Sequence, residues 1–209
     1  IDGREPMRTI LYAPTWEGFV ENVDYSSVQE MGLMLMERLV AMGRFTVLFK
    51  AHPYTGARSS EKKAFRKKME ALCDGERVRL VDSASSIYDV MNESDLLVTD
   101  ISSVLNEYLA TKKPVIVCNV QKRTVAELEE EFPSTGAAYP IHSGNEIFEV
   151  LKRIEERDDL WEKRQAVKRD SLGEFAEGSM ARFQAVIKES VERGRQAQDA
   201  SGEGGRAGG

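Results

Sequence analysis

Short apolar runs alternate along this chain with longer stretches in which apolar residues recur at helical spacing. Six runs of strand length end in turn residues or proline and predict strands: residues 8–13, 45–51, 77–81, 96–99, 115–119 and 139–141. Amphipathic helices are predicted between them, the first at 27–42, where Ser27 and Glu30 have the spacing of a capping box. Alternating strands and helices form βαβ units with right-handed crossovers, so the pattern predicts an α/β fold with a doubly wound parallel sheet.

The length and composition of the chain suit one domain followed by a short tail. The 209 residues are 41% hydrophobic and 31% charged, which allows one core of substantial size. From Gly194 onward the sequence is rich in Gly, Gln, Ser and Asp and cannot support a core. We therefore predict one domain over residues 1–193 and a disordered tail over 194–209. The chain starts at Ile1 without an initiator Met, so we interpret it as a piece of a longer protein.

Charge and cysteine content narrow the classes of function. A net charge of −6 argues against a general nucleic-acid binder, which needs a basic face to displace phosphate counterions. No apolar run approaches the roughly twenty residues that a membrane-spanning helix requires. Cys73 and Cys118 have neither the spacing of a disulfide framework nor that of a metal site. Cys118 lies in an apolar run, so we expect a buried, reduced thiol, which is compatible with the cytoplasm.

The most informative stretch is the apolar run at residues 96–99 and the polar residues that follow it. The run ends in Thr99 and Asp100, and Ser102 and Ser103 stand where the next helix begins. The first N–H groups of a helix lack partners and lie at the positive end of its dipole, so they attract phosphate, and hydroxyl groups add further donors. The turn therefore predicts a phosphate site. An ordinary serine N-cap after a core strand is the alternative.

Two other strand ends carry candidate ligand contacts. Thr15 and Trp16 begin the long loop after the first strand, and Lys50 and His52 follow the second. A histidine can donate to a phosphate oxygen or move a proton near neutral pH, and a lysine beside it favours an anion. The alternatives are a tryptophan that only covers the edge of the core and a histidine bonded to a loop carbonyl. Because ligands of doubly wound sheets bind at the carboxyl ends of the strands, we expect these residues and the serine turn to converge.

The predicted helix at 60–72 is strongly basic. Its cationic residues are Lys62, Lys63, Arg66, Lys67 and Lys68. Such a cluster suits an acidic membrane surface or a polyanionic acceptor. A solvated helix face without a partner is the alternative interpretation.

Several motifs occur in a fixed order between about residues 8 and 190. They are ILYAPTW at 10–16, FKAHP at 49–53, IYDVM at 87–91, SDLLVTDISSV at 94–104, KPVI at 113–116 and GEFAEGS at 173–179. In this order they resemble the C-terminal half of the CDP-glycerol glycerophosphotransferases, the family of teichoic-acid polymerases and primases. The resemblance implies a Rossmann-like donor-nucleotide-binding domain, the C-terminal domain of a GT-B fold.

The resemblance also implies an activity and roles for individual residues. CDP-glycerol would be the donor, and transfer of glycerol phosphate to a hydroxyl would release CMP without a metal or other cofactor. By position, His52 would be the catalytic residue, beside the donor pyrophosphate. The substrate-binding residues would be Thr15, Trp16, Lys50, Thr99, Asp100, Ser102, Ser103 and Glu107. The two serines would hold phosphate oxygens, Thr99 and Asp100 would shape the turn, and Glu107 would reach a ribose hydroxyl.

The sequence departs from the family pattern at two places. Lys50 stands where an arginine is common, which keeps the charge and loses bidentate geometry. Asn106, Glu107 and Tyr108 stand where Phe-Asp-Phe is typical, which leaves the identity of the donor open. Two alternatives therefore remain: a GT-B half that uses CDP-ribitol or a UDP-sugar, and a non-catalytic interaction module with the same fold.

The resemblance implies partners outside this chain. A GT-B enzyme closes its site between two domains, so an N-terminal domain with the acceptor site and the catalytic base would precede Ile1. The acceptor would be polyanionic or lipid-linked, and the full-length protein would work in the cytoplasm at the inner face of the cell membrane. We expect the chain alone to bind donor weakly and not to turn over.

Overall fold

In a computed structural model, which describes residues 6–19, 24–173 and 178–203, the chain forms one six-stranded sheet. The strands are β1 (Thr9–Ala13), β2 (Thr46–Phe49), β3 (Val78–Leu80), β4 (Leu96–Thr99), β5 (Val115–Cys118) and β6 (Tyr139–Ile141). The strand order is β3-β2-β1-β4-β5-β6, and every neighbouring pair is parallel. This confirms the predicted α/β fold with a doubly wound parallel sheet.

The order of the strands reverses at the centre of the sheet. β1 pairs with β2 on one side and with β4 on the other, so that Tyr12 lies between Phe49 and Val98. The chain winds outward from β1 to β3 and then returns to the centre for β4. The carboxyl ends of β1 and β4 are therefore neighbours, although their sequences are far apart.

Helices connect and flank these strands. They are α1 (Leu33–Met42), α2 (Ser60–Glu70), α3 (Ile87–Glu93), α4 (Ser103–Tyr108), α5 (Val125–Glu131), α6 (Ile147–Glu156), α7 (Trp161–Leu172) and α8 (Ser179–Glu203). Shorter helical turns lie at Val28–Gly32, Leu109–Thr111, Pro133–Ala137 and Gly144–Glu146.

Alternate positions along β1, β2, β4 and β5 face two separate cores. Ile10 and Tyr12 of β1 belong to one core, whereas Leu11 and Ala13 belong to the other. Residues of α1, α2 and α6 complete the first core, and residues of α3 and α4 complete the second. Both faces of the sheet are thus covered, which is why the strands read as continuous apolar runs. Cys118 is fully buried and unbonded to another cysteine, as predicted.

The first long helix begins differently from its predicted capping box. The α-helix starts at Leu33, after a π-helical turn at Val28–Gly32. Ser27 has helical backbone angles and makes no capping bond through its side chain. Its Oγ lies 2.7 Å from the hydroxyl oxygen of Tyr12 in β1. The capping-box prediction is wrong here because a contact with the sheet occupies the serine hydroxyl.

The C-terminal part of the chain forms a second compact unit. The first unit is Ile1–Leu172 and the second is Gly173–Gly209, which contains α8. Helix α8 continues to Glu203, so the tail predicted from Gly194 begins within a helix. Residues 204–209 of that tail and residues 174–177 of the GEFAEGS motif lie outside the described residues. The extent predicted for the domain, residues 1–193, stays a prediction. No helix in the described ranges is long and apolar enough to cross a membrane.

Gly144→Ala tests how closely the turn before α6 packs on α1. A Cβ at Gly144 would lie 2.7 Å from the backbone nitrogen of Leu35 and 3.1 Å from the carbonyl oxygen of Met31. Backbone atoms cannot rotate away, so we expect the substitution to lower the free energy of unfolding by about 1–3 kcal/mol. Gly194→Ala in α8 is the control, because its Cβ would meet no atom within 4 Å. Urea unfolding measures both variants, and equal stabilities would contradict the close packing.

Candidate functional site

The tip of β4 is bonded to the loop after β1 through a buried carboxyl group. Asp100 follows β4 and is fully buried. Its Oδ2 accepts the backbone N–H of Thr15 at 2.7 Å and that of Ser27 at 3.1 Å. Thr99 adds a second link, because its buried hydroxyl donates to the carbonyl oxygen of Ala13 at 2.7 Å. These bonds lie where the strand order reverses, which is the place at which doubly wound sheets bind ligands.

Two buried oxygens at this turn have no hydrogen-bond partner among the described residues. They are Oδ1 of Asp100 and Oγ of Ser102. A buried polar atom without a partner costs about 1–3 kcal/mol, so its presence in a native fold requires an explanation such as a ligand. Burial raises the pKa of Asp100 to about 7, although the hydrogen bonds from Ser27 and Thr15 lower it. Near neutral pH the carboxyl group is therefore present in both protonation states.

The two serines stand at the start of α4, as the sequence predicts. Ser102 is the N-cap residue with an extended backbone, and its side chain makes no capping bond. It therefore does not act as an ordinary serine cap in this structure. Ser103 is exposed, and Glu107 one turn further on is partly buried. The side-chain oxygen of Asn106, between them, is buried without a partner in the described part of the chain.

An aromatic cluster lies beside this turn and consists of Trp16, Phe19, His52 and Tyr54. The rings of Trp16 and His52 stack, with centroids 5.7 Å apart and planes inclined by 13°. Tyr54 packs against both, at 5.5 Å from Trp16 and 5.6 Å from His52. Phe19 meets Trp16 edge-on at 4.7 Å. Because Phe19 and Tyr54 are largely exposed, the cluster lies at the surface of the protein.

Hydrogen bonding determines where the His52 ring carries its proton. Nδ1 accepts the backbone N–H of Tyr54 at 3.1 Å, so the ring is not bonded to a loop carbonyl through this atom. A nitrogen that accepts a hydrogen bond is unprotonated, so the neutral ring has its proton on Nε2. Burial lowers the pKa of His52, and the negative charge of Glu17 opposes this effect. At neutral pH the ring is therefore a neutral donor through Nε2–H.

Lys50 follows β2, and its side chain is directed toward β3 and away from β1. Its Nζ donates to the carbonyl oxygen of Asp82, which follows β3, at 2.7 Å. The side chain is buried, and burial lowers its pKa. In this structure Lys50 therefore stabilises the junction between β2 and β3.

The structure brings most of the predicted residues together. His52 stacks on Trp16, and the adjacent Thr15 donates to Asp100, so a continuous series of contacts joins the ends of β2, β1 and β4. Thr99 is the last residue of β4. Ser102 is the N-cap residue of α4, and Ser103 and Glu107 lie within that helix. Lys50 alone bonds away from this series of contacts, toward β3. The roles of all these residues in binding stay predictions.

Sequence reasoning missed Glu17, a nearly buried carboxylate in the loop after β1. Its two oxygens accept the backbone N–H groups of Gly56, Arg58 and Ser59, at 3.0, 2.8 and 3.2 Å. The one available signal was an acidic residue in a short stretch that carries the two aromatic residues Trp16 and Phe19. That signal does not reveal the partner, because the N–H groups lie in a distant segment.

A cavity of about 720 Å³ lies at the opposite end of the strands. Its lining includes Met7, Asp95 and Pro114, which precede β1, β4 and β5. Because doubly wound sheets bind ligands at the carboxyl ends of their strands, this cavity is not the candidate site. Within the described ranges, no group of three or more His, Cys, Asp or Glu is arranged to hold a metal ion.

Solved structures share this fold. MnaA from S. aureus, solved with UDP, has a TM-score of 0.56 and 16% identity over 89% of this chain and 47% of that chain. The α,α-trehalose-phosphate synthase (UDP-forming) from Burkholderia vietnamiensis has a TM-score of 0.52 and 14% identity over 89% of this chain and 45% of that chain. These likenesses define the class: a Rossmann-like domain of the GT-B fold.

Sequence comparison then identifies the family. The family model for CDP-Glycerol:Poly(glycerophosphate) glycerophosphotransferase matches residues 3–185, so the chain belongs to this family, as its motifs predict. The teichoic acid ribitol-phosphate polymerase TarL of Staphylococcus aureus (strain NCTC 8325 / PS 47) is 27% identical over 111 residues. That match covers 52% of this chain and 18% of TarL, so the chain spans only part of its relatives.

Asp100→Asn tests the state of the buried carboxyl group. Its pKa of about 7 in the folded protein exceeds the ordinary value of 3.8, so the folded chain holds the proton more tightly than the unfolded chain does. Stability should therefore fall as the pH rises from about 4 to 7, by up to about 1.4 kcal/mol per pH unit, and level off above that range. Asparagine cannot titrate, so the variant should lack this fall. Urea midpoints across the pH range measure it, and parallel curves would contradict the raised pKa.

Proposed function

We propose that this chain is the donor-binding part of a glycerophosphotransferase, which transfers glycerol phosphate from CDP-glycerol to a hydroxyl of a teichoic-acid-like acceptor and releases CMP. Membership of the family supports the class of reaction. The site assignment depends on one observation: Asp100 Oδ1 and Ser102 Oγ are buried without partners among the described residues, where the strand order reverses. A serine hydroxyl without an acceptor suits a phosphate oxygen, which is a strong acceptor.

The proposed mechanism is electrostatic. Attack at phosphorus builds charge on the equatorial and leaving oxygens, and donors held in place stabilise that charge. In this proposal the hydroxyls of Ser102 and Ser103 and the Nε2–H of His52 contact the donor pyrophosphate. Because Nδ1 of His52 accepts from Tyr54, the neutral ring acts as a donor to phosphate and not as the base. The base that activates the acceptor belongs to the N-terminal domain.

Two observations bear on the identity of the donor. The family description names CDP-glycerol, whereas TarL is a ribitol-phosphate polymerase. In addition, Asn106, Glu107 and Tyr108 of α4 differ from the residues usual in the family. CDP-glycerol is therefore the first candidate and CDP-ribitol the second. The experiments below distinguish these two donors from a UDP-sugar and from a non-catalytic role.

Basic residues of α2 support a polyanionic or lipid-linked acceptor. Lys63, Lys67 and Lys68 are exposed. Lys62 is buried beside Asp24, so it does not add to this face. In the proposal, the exposed lysines attract the acceptor and the N-terminal GT-B domain closes the site. The full-length protein then works in the cytoplasm at the inner face of the cell membrane.

A thermal-shift panel with CDP-glycerol, CDP-ribitol, CMP and a UDP-sugar tests this function. A ligand that binds only the folded chain raises its melting temperature, and we expect the largest rise with CDP-glycerol. Ser102→Ala should not lower the melting temperature of the free protein and should raise it slightly, because it removes a buried hydroxyl that has no partner in the described structure. It should weaken nucleotide binding about tenfold, the effect of losing one hydrogen bond of about 1.4 kcal/mol. His52→Ala should weaken binding as well.

Ser86→Ala is the matched control for this panel. Its Oγ accepts the backbone N–H of Tyr88 and caps α3. The variant should therefore lower the melting temperature of the free protein and keep the ligand-induced rise. Nucleotide binding unaffected in both Ser102→Ala and His52→Ala would remove the site assignment. Absence of a shift with every nucleotide would favour the non-catalytic module.

A CMP-release assay tests whether the chain works alone. With CDP-glycerol and a glycerol-phosphate oligomer as acceptor, we expect binding of the donor and release of CMP at the background rate. The physical reason is that the acceptor site and the base belong to the other domain of the proposed enzyme. Polymer synthesis by this chain would contradict that division.

A further inference from the structure

Glu17 connects the loop after β1 to the segment between β2 and α2. Its Oε1 accepts the backbone N–H groups of Arg58 and Ser59, and its Oε2 accepts that of Gly56. We call these four residues the Glu17 clamp. The Glu17 side chain is only 7% exposed. Burial raises its pKa, but the three hydrogen bonds outweigh burial and leave the pKa below the ordinary value, so the group is a carboxylate at neutral pH.

The clamp acts on a segment with little freedom to move. Gly56 has a φ of +82°, and a Cβ there would lie 2.6 Å from the Cα of Lys63 in α2. Ser59 begins α2, because its side chain accepts the backbone N–H of Lys62 at 3.1 Å. The segment that follows His52 is therefore held by α2 on one side and by the Glu17 carboxylate on the other.

We propose that Glu17 is a positioning residue for His52. Glu17 directly follows Trp16, whose ring stacks on His52, so one strand end supplies both the stack and the clamp. By holding Gly56, Arg58 and Ser59, Glu17 fixes the segment that contains Tyr54. The backbone N–H of Tyr54 then stays hydrogen-bonded to Nδ1 of His52, and the ring proton stays on Nε2. The catalytic meaning of this role rests on the proposed function, but the role itself can be tested without a substrate.

Glu17 also influences His52 through its charge. Its carboxylate favours the protonated ring and so opposes the fall in pKa that burial causes. The neighbouring segments contribute cations: the Arg58 guanidinium donates to the carbonyl oxygen of Gly18 at 3.0 Å, and Nη1 of Arg66 lies 3.5 Å from the carbonyl oxygen of Pro53. A cation cannot favour the protonated ring, so this effect belongs to Glu17.

Glu17→Gln and Glu17→Ala separate the charge from the hydrogen bonds. Glutamine keeps an oxygen for the N–H groups of Arg58 and Ser59, but it places an NH₂ group against the N–H of Gly56. Alanine removes all three bonds. The ring nitrogen signals of His52, followed by ¹⁵N NMR across the pH range, report both pKa and tautomer. We expect Glu17→Gln to lower the pKa of His52 further and to reduce the share of the Nε2–H form, with a larger change in Glu17→Ala.

Glu127→Gln is the matched control. Glu127 also accepts a backbone N–H, that of Thr124 at 2.8 Å, at the start of α5. Its substitution should lower the stability of the protein and leave the His52 signals unchanged. The control therefore shows the effect of losing a carboxylate whose role is only structural. Unchanged pKa and tautomer in Glu17→Gln would overturn the proposal, whatever the behaviour of Glu17→Ala. Failure of the wild type to bind nucleotide would instead overturn the proposed function and leave this result standing.

Discussion

The candidate site depends on how one buried carboxyl group is accommodated. A buried carboxylate without partners is strongly unfavourable, so it must accept hydrogen bonds or take up a proton. Asp100 does both in part, because one oxygen accepts two backbone N–H groups and the pKa rises to about 7. Those N–H groups belong to Thr15 and Ser27, so the same bonds connect the tip of β4 to the loop after β1 and to the start of the next helix. The placement of these segments around the candidate site follows from this connection.

The same bonds account for the irregular start of that helix. The N–H of Ser27 is bonded to Asp100 and its Oγ contacts the Tyr12 hydroxyl, so its side chain does not form the capping box that its sequence predicts. The turn that follows is π-helical and contains Gly32, where a Cβ would lie 2.7 Å from the Tyr12 hydroxyl oxygen. Irregular helical turns of this kind often occur at functional sites. Here the irregularity results from contacts with the sheet, which override the local preference for a regular helix start.

Local pattern predicts much of this fold and little of the detailed site. The runs at Leu96–Thr99 and Tyr139–Ile141 form strands, as expected, because a buried parallel strand needs consecutive apolar residues. The direction of a side chain depends on distant contacts instead. Lys50, expected beside the phosphate site, bonds to the carbonyl oxygen of Asp82 after β3. The partners of Glu17 lie some forty residues away, and only the folded segment places their N–H groups together.

The charges beside the turn after β4 bear on the proposed division of the enzyme into two domains. Lys50 and Lys62 are buried and engaged with other groups, so they do not offer a free cation to a pyrophosphate. The groups proposed to contact the phosphate are neutral donors: the hydroxyl of Ser102, the Nε2–H of His52 and the protonated form of Asp100. Hydrogen bonds from neutral donors are about half as strong as those from cations, so in the proposed function these groups bind a phosphate without neutralising it. In the proposed function, cations on the N-terminal domain complete the stabilisation when the domains close, so that transfer proceeds only after the acceptor is enclosed.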